Sequence, residues 1–379
     1  MIRRHLTRVV LPTLLPTLCP ILVPPAAKAA AEARADGDEP VHRLLAAWRV
    51  PGSQGDRVGI LEADWAAGRI RIAAEQPVPG RAHGLQALPD GGFVAVANRP
   101  GRWLLRADAQ GRVQRRHEVD AERPLRTFNG HVQPAADGRW LFTTETDPAD
   151  GSGWVSVRDA RTLARVAQFS TAGIDPHQVL PAADGQLLVA NGGMARDAAG
   201  RKIDGHRMAP SLVRLDPATG TLLGRWTLAD PRLSIRHLAW SAGADPLLGV
   251  ALQAEHDDAG DRQAAPVLAL WDGQSLQVQR TALAGGYAGD VAAGPGGGFV
   301  ISAQKLGRGL WWHPQADEGL VRVAELTEPC ALAAWQGGRG VLIAAARGMA
   351  RWHVARPARM LAWPQPMVPD NHWVLLPPA

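Results

Sequence analysis

The chain of 379 residues is short of cysteine, tyrosine and phenylalanine, and it has no long unbroken apolar run. Its two cysteines are Cys19 and Cys330. Cys19 falls in an N-terminal stretch that reads as an export signal, so the mature chain would keep one thiol and form no intrachain disulfide. One tyrosine and five phenylalanines stand against 14 tryptophans; tryptophan buried between packed sheets is the plain reading. The apolar stretch Val9 to Val23 is 15 residues long and broken by Pro12, Pro16 and Pro20, which excludes a permanent membrane-spanning helix. Basic residues do not cluster on one segment, which argues against nucleic-acid binding. G-x-S-x-G and H-E-x-x-H are both absent, so no hydrolase elbow or zinc-protease motif is present. "GPGGG" at 294–298 is a hairpin turn without the lysine and helix of a phosphate loop, and no nucleotide cofactor is expected. "HDDAGD" at 256–261 lacks the spacing of a calcium loop and reads as a solvated segment.

The N-terminus has the layout of a secretory signal: Arg3, Arg4 and Arg8, then the apolar stretch, then Ala27-Lys28-Ala29 as a small-x-small cleavage site. Arg3-Arg4 partly matches a twin-arginine signal. Cys19 follows Leu18 rather than a small residue, so no lipid anchor is read. The expected organisation is a signal over 1–29, a flexible mature N-terminus over 30–40, and a single domain over 41–379, exported to the periplasm. Cleavage near Ala29 removes Arg3, Arg4, Arg8 and Lys28 and no acid, so the net charge falls from +5 to +1. The basic character of the full chain belongs largely to the signal.

What the chain has in quantity is glycine (41) and proline (30), the punctuation of many short strands. It also has a repeat. "GRAHGLQALPDGGFVAVANRPG", "FNGHVQPAADGRWLFTTETD" and "GIDPHQVLPAADGQLLVANGG" share one plan. A histidine beside glycine or proline opens an apolar run; a D-G turn, a second apolar run and polar residues follow. The marker histidines His83, His131, His177 and His237 lie 48, 46 and 60 residues apart. Two further units carry Asp290 and Cys330 at the marker position. Each unit continues with a third and a fourth strand, such as "SLVRLDPATG" and "TLLGRWTLAD". Four antiparallel strands per roughly 50 residues is a β-propeller blade. The mature length divides into seven. Six units are complete; the seventh takes three outer strands from the N-terminal region and its inner strand from "DNHWVLLPP", which adds His372 to the series. The expectation is an all-β, seven-bladed propeller closed by strands from both chain ends in one blade. The segments 194–209 and 255–266 read as polar insertions between second and third strands. His206 and His256 lie in them and read as surface residues.

In a propeller the first strand of each blade lines the central channel. The heads of seven first strands would therefore place His372, His83, His131, His177, His237, Asp290 and Cys330 around one mouth. Asn98, Arg99, Thr144, Glu145, Asp147, Asn191, Gln253, Gln304 and Lys305, at the ends of the second strands, would surround that ring. Neutral imidazoles are common ligands for copper, iron, zinc and nickel. Three would reach one ion, as in open zinc sites, with His131, His177 and His237 on adjacent blades as the first choice. Asp290 and Cys330 are possible additional ligands. The plain alternative is a channel plugged by polar side chains and water, with Cys330 as a small buried apolar residue.

"NGHVQPAADGRWLFTTETD", "GIDPHQVLPAADGQLLVANGG", "PSLVRLDPATG", "LSIRHLAW" and "DNHWVLL" together resemble the bacterial domain of unknown function 1513 family, from about Val58 to the C-terminus. The resemblance implies a seven-bladed propeller of the YVTN or quinoprotein amine dehydrogenase type, exported, often with a twin-arginine signal. It implies a setting beside imelysin-like proteins and a di-haem oxidoreductase-like protein in iron-associated clusters, hence those partners, and iron or copper ahead of zinc. The family's recurrent histidines match His83, His131, His177, His237 and His372. Two places depart from it: Phe128-Asn129-Gly130-His131-Val132 where Tyr-Gly-His-Gly is usual, and Glu145-Thr146-Asp147 where Glu-Asn-Asp is usual. The functional expectation is a monomeric periplasmic protein that binds a transition metal or metal complex. A scaffold for imelysin-like partners and a propeller oxidoreductase or lyase are the alternatives.

Overall fold

A computed structural model describes residues 41–52, 55–279, 285–315, 319–335 and 338–377. The expected signal and flexible mature N-terminus lie outside the described residues. Seven four-stranded antiparallel sheets make seven blades. Blade 1 runs from Ala82 to Glu118, blade 2 from Thr127 to Ile174, blade 3 from Pro176 to Trp226 and blade 4 from Leu233 to Val278. Blade 5 runs from Val291 to Glu325 and blade 6 from Leu332 to Ala362. Blade 7 takes its inner strand, Val368–Leu376, from the C-terminus and its other three, His42–Arg49, Asp56–Asp64 and Arg69–Val78, from the N-terminal side. The closing pair is antiparallel, with Leu44 opposite Leu375 and Ala46 opposite Trp373. Among the described residues no helix is long and apolar enough to cross a membrane.

Burial explains which strand goes where. The second strand of blade 1, Phe93–Ala97, is buried along its whole length, whereas the fourth, Val113–Glu118, is largely exposed. Apolar side chains of neighbouring blades fill the wedges between them; Leu45, Leu85, Phe93 and Leu105 meet between blades 7 and 1. The repeated D-G turns use one device. Asp90, Asp137 and Asp184 each accept a hydrogen bond from the amide two residues on, at 3.1, 2.9 and 3.1 Å. The intervening Gly91, Gly138 and Gly185 take positive φ. The two insertions fall between second and third strands as expected, and the later one contains a single helical turn and a half, Ala259–Ala264.

Candidate metal centre

Side chains of a β-strand alternate between its two faces. In a propeller both faces abut neighbouring blades, so a regular inner strand aims nothing at the channel axis. Five of the seven inner strands carry a register shift inside the ladder, at a histidine. Ala82 and Leu85 pair with Ala97 and Ala95, three residues against two, and His83 sits in the excess. His131 lies in a bulge between Phe128 and Val132, His177 between Pro176 and Val179, and His237 between Ile235 and Leu238. His372 lies in the irregularity between Pro369 and Trp373. Bulges re-aim side chains, and here each turns a histidine off the sheet face toward the axis. Gly130, at φ 99°, is needed beside His131, because a Cβ there would stand 2.8 Å from Cδ2 of His83.

The result is a tighter group than a wide ring. Nine of the ten pairs among the five imidazoles have centroids 4.4 to 6.1 Å apart. One ring nitrogen from each of His83, His131, His177 and His237 lies within 4.8 Å of the others, and His237, Asp290 and His372 form an overlapping group. His237 Nε2 is 2.8 Å from His177 Nε2 and 3.0 Å from His372 Nε2. One proton serves only one of these contacts well. Nitrogens bound at about 2.0–2.1 Å to a tetrahedral ion stand about 3.3 Å apart, close to the observed spacing.

The carboxylates fix the tautomers. His83 Nδ1 donates to Asp370 Oδ1 at 2.7 Å, and Arg81 bonds the other oxygen of the same carboxylate. The histidine and Arg81 together hold Asp370 well below the usual carboxylate range despite its burial. An ionised carboxylate only accepts, so the proton of His83 is on Nδ1 and its buried Nε2 keeps a lone pair with no protein partner. His372 Nδ1 faces Asp290 Oδ1 at 3.4 Å in the same manner. A carboxylate behind Nδ1 is the usual support of a metal-ligating histidine. Burial lowers His83 to about 4 against the opposing pull of Asp370. Burial, reinforced by neighbouring imidazoles and by Arg99, holds His131, His177 and His237 well below 6.5. These rings are neutral at pH 7, as ligands must be.

Hydrogen bonds between blades lock the bulges. Thr144 Oγ1 donates to the His177 carbonyl at 2.6 Å, and Asn129 Nδ2 donates to the Pro176 carbonyl at 2.8 Å. Asp175, in left-handed conformation at φ 52°, accepts from Arg99 at 2.7 Å, Arg196 at 3.1 Å and Arg236 at 2.7 Å. Those three guanidiniums depress its pKa far below the ordinary value. Such strain in a non-glycine residue is held by its surroundings and collects at functional sites.

Above the histidines opens a cavity of about 350 Å³, floored by His83, His177 and His237 and walled by Arg81, Asn98, Arg99, Arg196, Gln253, Tyr287, Gln304 and Asn371. Arg99 and Gln253 thus take their expected places. Arg196 of the 194–209 insertion joins the wall, and Lys305 stacks on the ring of Tyr287 at 4.6 Å.

Four expected site residues are elsewhere. Glu145 is fully buried on a face of blade 2, accepting from Thr143, Ser156 and Arg158 at 2.7, 2.7 and 2.9 Å. It still lies within the ladder, opposite Phe128 and Trp154, so strand alternation sends it between blades. Asn191 is likewise in the ladder and ties the Thr171 carbonyl at 3.0 Å. Asp147, just past the ladder, pairs with Arg126 at 2.6 Å and lines a neighbouring cleft with Asn129 and Pro148. Cys330 is not a ligand candidate here. It is buried among Leu44, Leu342 and Trp373, its Sγ 3.6 Å from the Ala344 carbonyl, and burial pushes the thiol up to about 12. Asp290 does join the group, while also accepting from the amides of Val291 and Leu332, both at 2.9 Å.

Apart from Arg99 and Asp290, the charged residues that organise the site escaped the sequence reading. Their signal was present: Arg81, Asp175, Arg236 and Asp370 each stand one or two positions before a marker histidine.

Fold and site together define a seven-bladed propeller whose channel closes on five histidines, four of them buried. The chain belongs to the family described as protein of unknown function (DUF1513), matched over residues 76–376. Among solved structures, the periplasmic gluconolactonase of Pseudomonas aeruginosa is similar with a TM-score of 0.60 at 18% identity, covering 89% of this chain and 100% of that one. Virginiamycin B lyase from Staphylococcus aureus gives 0.54 at 9% identity over 75% and 84% of the two chains. Kuenenia stuttgartiensis hydrazine synthase gives 0.56 at 12% over 80% and 92%. At these identities the likeness is one of fold alone. No curated protein matches the chain significantly.

Proposed function

We propose that this protein is a periplasmic metal-binding propeller, exported by its N-terminal signal, that holds one transition-metal ion in the histidine cluster. Its role would be iron or copper handling beside imelysin-like or di-haem oxidoreductase-like partners. One observation carries the reading: the imidazoles backed by carboxylates at Nδ1 turn Nε2 toward a centre where three Nε2 atoms already converge within 3.0 Å steps. Neutral imidazole suits copper, iron and zinc alike, so the cluster sets the class of ion, and the iron setting implied by the family resemblance favours iron.

The test is the metal content of untagged mature protein prepared without chelators, read by elemental mass spectrometry. The expected result is about one transition-metal ion per chain, lost in the His177→Ala/His237→Ala variant. Protein that is empty and takes up neither iron, copper nor zinc overturns the reading. The cavity over the cluster favours a second reading, a metal-dependent enzyme acting on a small molecule. Its mark would be turnover abolished by His177→Ala.

A further inference from the structure

We infer that the cavity above the histidines is a subsite for a small polycarboxylate anion that binds together with the ion below it. The joint binding rests on the metal reading above; the anion pocket does not.

The volume, about 350 Å³, is that of a small-molecule site rather than a groove for a protein segment. Its charge is one-sided. Arg81, Arg99 and Arg196 reach into it, and among the described residues no aspartate or glutamate lines it. The carboxylates that steer these guanidiniums lie behind them: Asp370 behind Arg81, its side chain 4% exposed, and Asp175 behind Arg99 and Arg196, 2% exposed. Asp175 also serves the buried Arg236, which has Glu255 at 3.8 Å as a second, more distant partner, so the three guanidiniums outnumber the carboxylates behind them. The cavity is left with a positive field that draws in and holds anions.

The arginines form two anchors rather than one cradle. Arg81 is fixed to Asp370 of blade 7, while Arg99 and Arg196 are fixed to Asp175 at the head of blade 3. Two separated planar forks suit a molecule with two or more carboxylates, each bound side-on, better than a single tetrahedral group. Asn98, Gln253 and Gln304 supply neutral hydrogen-bonding groups around them. The floor of the same cavity is formed by His83, His177 and His237. A carboxylate seated on the arginines therefore lies against the cluster, where its oxygens can complete the coordination of an ion held by imidazoles.

Isothermal titration of tricarballylate and, separately, inorganic phosphate into metal-free and metal-loaded full-length mature protein tests this. Expected are saturable tricarballylate binding to the metal-free protein, at least tenfold loss in Arg81→Gln and in Arg196→Gln, and tighter binding to the loaded form. Arg81 has a side chain 45% exposed, so its variant keeps the test alive if another fails to fold; melting temperatures verify folding. No saturable binding to either form, unchanged affinity in both folded variants, or tighter binding of phosphate overturns the anion assignment. Equal affinity of the metal-free and loaded forms overturns joint binding. Anion binding without any metal uptake overturns the metal reading and leaves the pocket standing; metal uptake without anion binding does the reverse.

Discussion

Blades 5 and 6 are the internal control for the other five. All seven inner strands occupy equivalent places, yet the ladders of blades 5 and 6 begin only after the marker, Val291 with Ile301 and Leu332 with Ile343; at the marker Gly289 and Asp290 both bond Ser302, and Cys330 and Ala331 both bond Ala344. They carry Asp290 and Cys330 at the marker position. The five inner strands that carry histidine are all bulged. The two-against-one step at the marker is therefore shared by all seven blades, and what sets five of them apart is the imidazole placed on it. In the other two the marker either bonds backbone amides, as Asp290 does, or enters the core, as Cys330 does. Left-handed Asp175 and the buried imidazoles both cost stability, and their concentration in one sector is what a binding site requires.

The largest effect expected of breaking this contrast is at Asp175. Asp175→Asn keeps the shape and tolerates the left-handed backbone, but leaves Arg99 and Arg196 without their counter-charge and Arg236 with only Glu255 at 3.8 Å. Loss of one partner from a buried ionic group costs about 3–5 kcal/mol, and denaturant unfolding should show a loss in that range. A change under about 1 kcal/mol would mean the arginines re-pair freely.

Acid comes next. Unfolded histidines titrate near 6.5, whereas burial holds His83 at about 4 and His131, His177 and His237 well below 6.5. Between those values the unfolded chain takes up protons that the folded chain refuses, so stability falls as the pH falls. The Tm of metal-free protein should drop from pH 6.5 toward 4, and drop less when His177 and His237 are both glutamine. Equal slopes would show that the cluster is not buried neutral.

Glycine sharpens the contrast. Gly130→Ala puts a methyl group against the His83 ring at a φ of 99°, for a loss of about 1–3 kcal/mol, with weakened metal uptake. Gly289→Ala, before Asp290, has no positive φ, and its Cβ meets first the rotatable Ser302 hydroxyl at 2.9 Å; calorimetry should find it the milder change. The smallest effect belongs to Cys330→Ala, about 1 kcal/mol for a small buried group, with metal content unchanged. Loss of metal in that variant would restore Cys330 as a ligand.

The repeat made the fold legible. A histidine-led hairpin with a D-G turn recurs often enough to count blades, and "DNHWVLL" gave the closing strand. The convergence of the histidines followed from that topology. Their closeness did not, because a bulge is one or two surplus residues in one strand relative to its partner, and neither strand shows this alone. Glu145 and Asn191 were misplaced for a related reason: whether a polar residue at a strand end still belongs to the ladder decides between a blade face and the mouth. Cys330 shares a sequence position with the histidines, but its side chain enters the core. The arginine and aspartate partners were visible as charges beside four of the five marker histidines, yet only the folded ring shows that Asp175 of blade 3 gathers arginines from three segments.

The most direct measurement is X-ray absorption at the edge of the metal bound to purified mature protein. The account predicts nitrogen scatterers at about 2.0–2.1 Å with the outer-shell pattern of at least three imidazoles, reduced in the His177→Ala/His237→Ala variant. A first shell of oxygen alone, without imidazole scattering, would contradict the histidine cluster as the metal centre.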